Sequence, residues 1–192
     1  MSEEAADGSE RPEAEAVLSD PPKPSFLYQI RGLGIGVPIL VIIDQVTKTF
    51  ADRDLPGRAP IVIIEGIFQL RYSRNPGAFF SLGADLPDGF RRVFFVVATL
   101  LAIALIVRLH IKAGRERWAL RAALFLLLSG AVGNLVDRVF YGEVIDFLHL
   151  HYEDVFHWAT FNVADMYICV GLILLVVDMI RPGPKTEPAP PD

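Results

Sequence analysis

Residues 158 to 180 read Trp158-Ala-Thr-Phe-Asn162-Val-Ala-Asp165-Met-Tyr-Ile-Cys-Val-Gly-Leu-Ile-Leu-Leu-Val-Val-Asp178-Met-Ile180. From Met166 to Val177 there is no charge, and about 20 mostly apolar residues are what a helix needs to cross a hydrocarbon layer. This run makes the chain a membrane protein. Its first turns also hold Asn162 and Asp165, although an ionisable group at membrane depth costs at least ~2.5 kcal/mol and so marks a functional position.

Moving outward, three more spans are predicted, near Gly32 to Phe50, Arg92 to His110 and Trp118 to Arg138. The second has no charge between Val93 and Val107, and Arg92 and Arg108 snorkel from its ends. Composition agrees, at 52% hydrophobic with a mean hydropathy of +0.39. The net charge of -5 is accounted for by residues 1 to 30, where seven acids face only Arg11 and Lys23. Those residues and 182 to 192 are read as disordered cytoplasmic tails flanking one membrane domain, 31 to 181. The single cysteine, Cys169, excludes a disulfide framework within the chain.

Arg108, Lys112, Arg115, Arg117 and Arg121 surround the junction of the second and third spans, and Arg181 and Lys185 follow the fourth. The positive-inside rule makes both flanks cytoplasmic, with both termini inside. Asp44, Gln45 and Lys48, then Asn134, Asp137 and Arg138, then Asn162 and Asp165 all fall at the outer ends of their helices. Asp178 is the exception, placed to pair with Arg181 or reach water. Polar groups sharing one depth imply a site near the outer leaflet.

The loop between the first two spans contains Pro60-Ile-Val-Ile-Ile-Glu-Gly-Ile-Phe-Gln-Leu-Arg-Tyr72, whose β-branched and aromatic residues flank a Glu-Gly turn. A small antiparallel sheet lying on the membrane is expected there. It leads to Arg74-Asn75-Pro-Gly77, a turn that presents Asn75. Asp146 follows the third span in Gly142-Glu-Val-Ile-Asp146-Phe.

Asp44-Gln-Val-Thr-Lys48, Asn75-Pro-Gly-Ala-Phe-Phe-Ser81, Gly130-Ala-Val-Gly-Asn134-Leu-Val-Asp137-Arg138, Gly142-Glu-Val-Ile-Asp146-Phe and Phe161-Asn162-Val-Ala164-Asp165 stand in that order. Together they resemble lipoprotein signal peptidase, the bacterial signal peptidase II, over roughly Gly32 to Arg181. The resemblance implies an aspartic endopeptidase of the bacterial inner membrane, acting on diacylglyceryl-modified prolipoproteins and cutting on the N-terminal side of the lipidated cysteine. It implies that Asp146 and Asp165 are the catalytic pair. One departure is Phe79, where the family most often has a second small residue.

Two close carboxylates cannot both ionise easily, so they share a proton; one deprotonates water while the other hydrogen-bonds the scissile carbonyl. Asp44 and Lys48, four apart on one helix, are read as a buttressing ion pair. Asn134 and Arg138 face the same way, and the Arg138 fork suits a substrate carbonyl or lipid ester. Asp137 is read as securing its helix end or pairing with a loop arginine, and Asn162 as orienting Asp165. Gly130 and Gly133 permit close helix packing, and Ala164 belongs to the last motif.

His149, His151 and His157 fit no standard zinc spacing and are read as interfacial residues, so no metal or cofactor is expected. Trp118 and Trp158 belong to aromatic belts. The rival reading is a proton- or cation-coupled transporter, which calls for polar groups at the bilayer midplane and repeated halves. A non-catalytic four-helix scaffold leaves the aspartates unexplained. Nucleic acid is not a partner; membrane lipids are, and the protein is expected to be monomeric.

The topology is open to a direct check. In a Cys169→Ala background, cysteines at Asp85 or Glu153 are expected to react with a membrane-impermeant thiol reagent in intact spheroplasts, and one at Gly114 only after lysis. The opposite pattern would put the aspartates in the cytoplasm.

Overall fold

The computed structural model describes residues 26–77, 87–114, 116–152 and 155–180. The two expected tails lie largely outside this range, as do Phe79, Asp85, Arg115, Glu153, Asp154, Arg181 and Lys185. The elements run α1 (Phe26–Asp54), β1 (Ile61–Ile64), β2 (Phe68–Asn75), α2 (Asp88–Lys112), α3 (Trp118–Phe140), β3 (Val144–Tyr152), β4 (Phe156–His157) and α4 (Val163–Ile180). All four helices are long and apolar enough to cross a membrane. α1 begins at Phe26, inside the stretch assigned to the N-terminal tail.

α3 is central and packs against α1, α2 and α4. Its contact with α4 depends on missing side chains. A Cβ on Gly130 would lie 2.4 Å from the Ala164 carbonyl oxygen, and one on Gly171 of α4 would lie 3.0 Å from the Ala123 carbonyl oxygen. Small residues let membrane helices approach closely and gain dispersion contact that lipid does not supply. α2 is the most peripheral span, with His110 its only buried residue. Ile35, Val93, Leu101 and Ile173 are all more than 60% exposed, the apolar exterior a helix presents to lipid.

The four strands form one antiparallel sheet in the order β1-β2-β3-β4. β1 and β2 are the expected hairpin: Gly66 takes φ 69°, where glycine alone meets no steric cost, and the Ile67 N–H closes the turn on Ile64 O at 3.1 Å. The other half of the sheet differs from expectation, because the segment carrying Asp146 is a strand. Gly142 at φ 81° reverses the chain after α3, and β3 then pairs with β2, setting Asn75 opposite Val144 and Ser73 opposite Asp146. Its signal was the alternation Leu148-His149-Leu150-His151-Tyr152.

The fourth helix also starts later than the apolar run does, at Val163 and not Trp158. The Trp158 N–H donates to Leu150 O (2.9 Å), and Phe161 and Leu148 exchange backbone bonds at 2.9 and 2.8 Å. These residues are held by the sheet until Asn162 caps the helix. Asp178 pairs with Arg117; Arg181, expected as its partner unless it reached water, lies outside the described residues.

Between α1 and α3 lies a buried ionic cluster. Lys48 is 1% exposed, and Asp44 and Asp137 are fully buried. The Lys48 ammonium meets Asp44 Oδ2 at 2.9 Å and Asp137 Oδ2 at 2.8 Å, and it donates to Asn134 Oδ1 at 3.0 Å. Each carboxylate also holds backbone: Asp44 Oδ1 accepts from the Ala164 N–H of α4 at 2.9 Å, and Asp137 Oδ2 from the Ile145 N–H of β3 at 3.1 Å. Asp137 therefore secures the chain beyond its helix as expected, but its ionic partner is Lys48 and not a loop arginine. Gln45, given no role from sequence, donates to Asp44 Oδ2, Gly133 O and Asp137 Oδ1 at 3.1, 3.2 and 2.9 Å.

Removing one member of a buried ion cluster leaves uncompensated charge, at about 3–5 kcal/mol. Lys48→Met is expected to lose about that much stability in detergent. Lys48→Met/Asp137→Asn keeps the cluster's net charge and is expected to recover a large part. A double variant no more stable to heat than the single one would show that charge compensation is not what holds the helices together. Gly130→Ala, with its Cβ driven at a backbone oxygen, is expected to separate α3 from α4 and lower Tm; an unchanged Tm would contradict that packing.

Candidate active site

Asp146 and Asp165 reach one cavity from different elements. Asp146 lies on β3 and is 2% exposed. Asp165 is in the first turn of α4, half-buried. Asn162 precedes that helix, its Oδ1 accepting the Asp165 N–H at 3.0 Å while its own N–H donates to Asp165 Oδ2 at 3.2 Å. This is the reciprocal arrangement of a capping box, with aspartate at the third helical position. One local motif thus starts the helix and fixes the carboxylate.

Asn162 also joins the two acids. Its Nδ2 donates to Asp146 Oδ1 at 2.6 Å and to Asn134 Oδ1 at 3.2 Å. Asn134 Nδ2 donates to Asp165 Oδ1 at 2.8 Å, and Asn75 Nδ2 to Asp146 Oδ2 at 3.2 Å. The turn after β2 holds Asn75 in place, since the Gly77 N–H donates to its Oδ1 at 3.1 Å. Every carboxylate oxygen of the pair therefore accepts a bond from an amide or backbone N–H.

Burial pushes Asp146 up to about 7, with the Asp165 charge adding to the rise; the bonds from Asn162 and Asn75 and the charge of Lys48 offset part of it. A carboxyl of that kind keeps a proton near neutral pH, which is what a shared-proton pair requires.

The cavity measures about 320 Å³, and its polar lining includes both aspartates, Asn75, Asn134 and Arg138. Ala98, Thr99, Ala102, Ala131 and Ile168 also line it, so much of its wall is small or apolar. Arg138 donates to Gly77 O at 3.2 Å and Asn134 O at 3.4 Å, and its guanidinium sits 5.6 Å from the centre of the Phe95 ring. Phe95 was not singled out from sequence, where it is one aromatic among many on an apolar helix.

The positions expected to form the site thus fall into layers. Asp146, Asp165, Asn75, Asn134 and Arg138 line the cavity, and Asn162, fully buried, bonds both acids. Asp44, Lys48 and Asp137 lie behind them. Gly130, Gly133 and Ala164 set the spacing of α3 and α4, with Ala164 fully buried.

The histidines stay apart from this site. His149, His151 and His157 stack on the sheet with ring centres 5.6 to 5.9 Å apart. Burial, then the Arg71 charge and the other two rings, push His149 below the usual imidazole range. Among the described residues no three histidine, cysteine, aspartate or glutamate side chains form a group able to hold a metal.

The comparisons with known proteins all point to one family. The family model described as "Signal peptidase (SPase) II" matches residues 37–181. Lipoprotein signal peptidase of Geobacter sulfurreducens is 43% identical over 148 residues, covering 77% of this chain and 91% of that protein. That of Syntrophus aciditrophicus is 42% identical over 159 residues, covering 83% and 95%. That of Pseudomonas aeruginosa is 36% identical over 151 residues, covering 79% and 89%. A solved bacterial membrane enzyme, determined by the in meso method at 2.3 Å, superposes with a TM-score of 0.69 at 26% identity, covering 83% of this chain and 94% of that one. The family model spans all five motifs and every residue of the cavity, and on that ground the chain belongs to the signal peptidase II family.

Proposed function

We propose that this protein removes the signal peptide from diacylglyceryl-modified prolipoproteins, with Asp146 and Asp165 as its catalytic pair and the cut on the N-terminal side of the lipidated cysteine. The observation that carries the reading is the tie between the two carboxylates: Asn162 bonds both, and both face one cavity. Membership of the signal peptidase II family supports the activity.

In this mechanism a water sits between the acids. The ionised carboxylate takes a proton from it, the neutral one hydrogen-bonds the scissile carbonyl, and the oxygen adds to that carbon. As the C–N bond breaks, the proton taken from water passes to the leaving amine, and the pair returns to one shared proton. The two acids titrate as a unit. Arg138 spends part of its fork on two backbone carbonyls, leaving further N–H groups for a substrate carbonyl or lipid ester.

The same reading makes the protein a multi-pass monomer of the bacterial inner membrane, with its termini inside and the pair near the outer leaflet. Ile61, Val62, Ile63 and Ile64 of β1 are 42% to 55% exposed, an apolar strand surface suited to resting on lipid. A lipidated cysteine then reaches the cavity by lateral diffusion with its acyl chains still in the bilayer. The transporter reading has no support: the polar groups gather at one end of the helices, around a pair of acids.

Asp146→Asn and Asp165→Asn are each expected to cut turnover of a diacylated prolipoprotein by at least ~100-fold while the protein stays folded, seen as a missing size shift on a gel. Near-normal turnover in either variant would refute the pair. A chelator is expected to leave activity unchanged, and reversible loss on metal removal would return attention to the histidines.

Stability should follow the raised Asp146 value. The native state holds this proton more tightly than the unfolded chain, so the stability it contributes is full below the unfolded value of 3.8 and lost as pH rises to about 7. Asp146→Asn removes that dependence. Its Tm gain over the parent is expected to be larger at about pH 8 than at about pH 4; an equal gain at both would contradict the assignment.

A further inference from the structure

An asparagine amide has an accepting and a donating end, and either can face a carboxylate unless something fixes it. In all three site amides the oxygen is occupied by a group that only donates. The Gly77 N–H holds Asn75 Oδ1 (3.1 Å), the Asp165 N–H holds Asn162 Oδ1 (3.0 Å), and Lys48 Nζ holds Asn134 Oδ1 (3.0 Å). Each NH2 is thereby turned toward an aspartate. Two of these donors are backbone N–H groups, which no substitution short of proline removes. The third is the Lys48 side chain.

We infer that Lys48 is a positioning residue for the reaction, acting through Asn134: its ammonium fixes that amide so that only the NH2 can face Asp165. This rests on the reading of Asp146 and Asp165 as the catalytic pair. All three ammonium N–H groups are committed, to Asp44, Asp137 and Asn134 at 2.9, 2.8 and 3.0 Å, so the lock cannot rotate away. Charge balance alone does not call for the third bond, since two carboxylates already neutralise the cation.

Without Lys48, Asn134 Oδ1 would keep only the 3.2 Å bond from Asn162 Nδ2, a group that also serves Asp146 at 2.6 Å. The Asn134 amide could then turn its oxygen to Asp165. An oxygen facing a carboxylate is tolerated only when the carboxyl carries a proton, so losing the lock favours the protonated pair. Losing the nearby positive charge acts in the same direction, and Lys48 does lower Asp146.

The test compares the parent, Asp137→Asn, and Lys48→Met/Asp137→Asn, all purified in detergent. The first readout needs no catalysis: the infrared C=O stretch of protonated carboxyl groups, followed over a pH series and assigned with Asp146→Asn and Asp165→Asn. The second is kcat and KM across pH on a diacylglyceryl-modified prolipoprotein peptide. Relative to Asp137→Asn, the double variant is expected to move the carboxyl midpoint up by roughly one pH unit or more. It is also expected to lose roughly tenfold or more in kcat, with KM within about twofold.

An unmoved midpoint overturns the inference, whether or not kcat falls; so does an equal rise when Lys48→Met is added to Asn134→Ala/Asp137→Asn, where the charge is lost but there is no amide to fix. A rise that is larger with Asn134 present than with Asn134→Ala, in a protein that cleaves nothing, would leave the positioning role standing and remove the peptidase reading. If the methionine variant does not fold, Lys48→Gln/Asp137→Asn replaces it. Its neutral amide can turn either way, so the lock is equally lost and the same upward midpoint is expected.

Discussion

The Lys48 ammonium, enclosed between Asp44 and Asp137, is the interaction on which the rest of this structure depends. A cation with 1% exposure at membrane depth is tolerated only where its charge is compensated and every N–H is used. Once that is met, the two carboxylates have oxygens to spare, and they spend them on backbone. Asp44 takes the N–H of Ala164 at the start of α4, and Asp137 takes that of Ile145 on β3. One ionic cluster on α1 and α3 therefore places both segments that carry the paired aspartates.

The cluster demands close packing, which explains the small residues around it. Gly133 lies so near Asp44 that a Cβ would stand 2.7 Å from its Oδ2, and Ala164 is buried against the same point. In lipid there is no hydrophobic drive to press helices together, so contact must come from shape and hydrogen bonds. Here the glycines supply the shape and Lys48, Asp44, Gln45 and Asp137 the bonds. The outer surfaces of the helices stay apolar because nothing but lipid is required of them.

The site in turn is built from donors fixed before any substrate arrives. Asn75, Asn134 and Asn162 each hold an aspartate with an NH2 whose direction is set by a second bond on the oxygen. Preorganised dipoles of this kind cost no reorganisation during reaction. Burial works against the charge on Asp146 while the amides support it, and that balance is what leaves a proton available to the pair near neutral pH.

Much of this could be read along the chain. Four apolar runs of spanning length give the number of helices, and polar residues at one end of three of them point to where a site is expected. The Glu65-Gly66 turn between β-branched runs gives the first hairpin, and the i, i+3 spacing of Asn162 and Asp165 pairs those two side chains, although the helix starts at Val163, five residues after the apolar run does. These are local properties, set by periodicity and by a few turn and capping residues. What the sequence left open was nonlocal. That Asp137 answers Lys48, 89 positions away, that Ile145 and Ala164 lend their N–H groups to α3 and α1, that β3 joins β2 and that Phe95 lies under Arg138 follow from how helices and strands meet. No spacing along the chain encodes which buried donor finds which acceptor; that is decided when the whole set must be satisfied at once in a medium without water to make up for a missing partner.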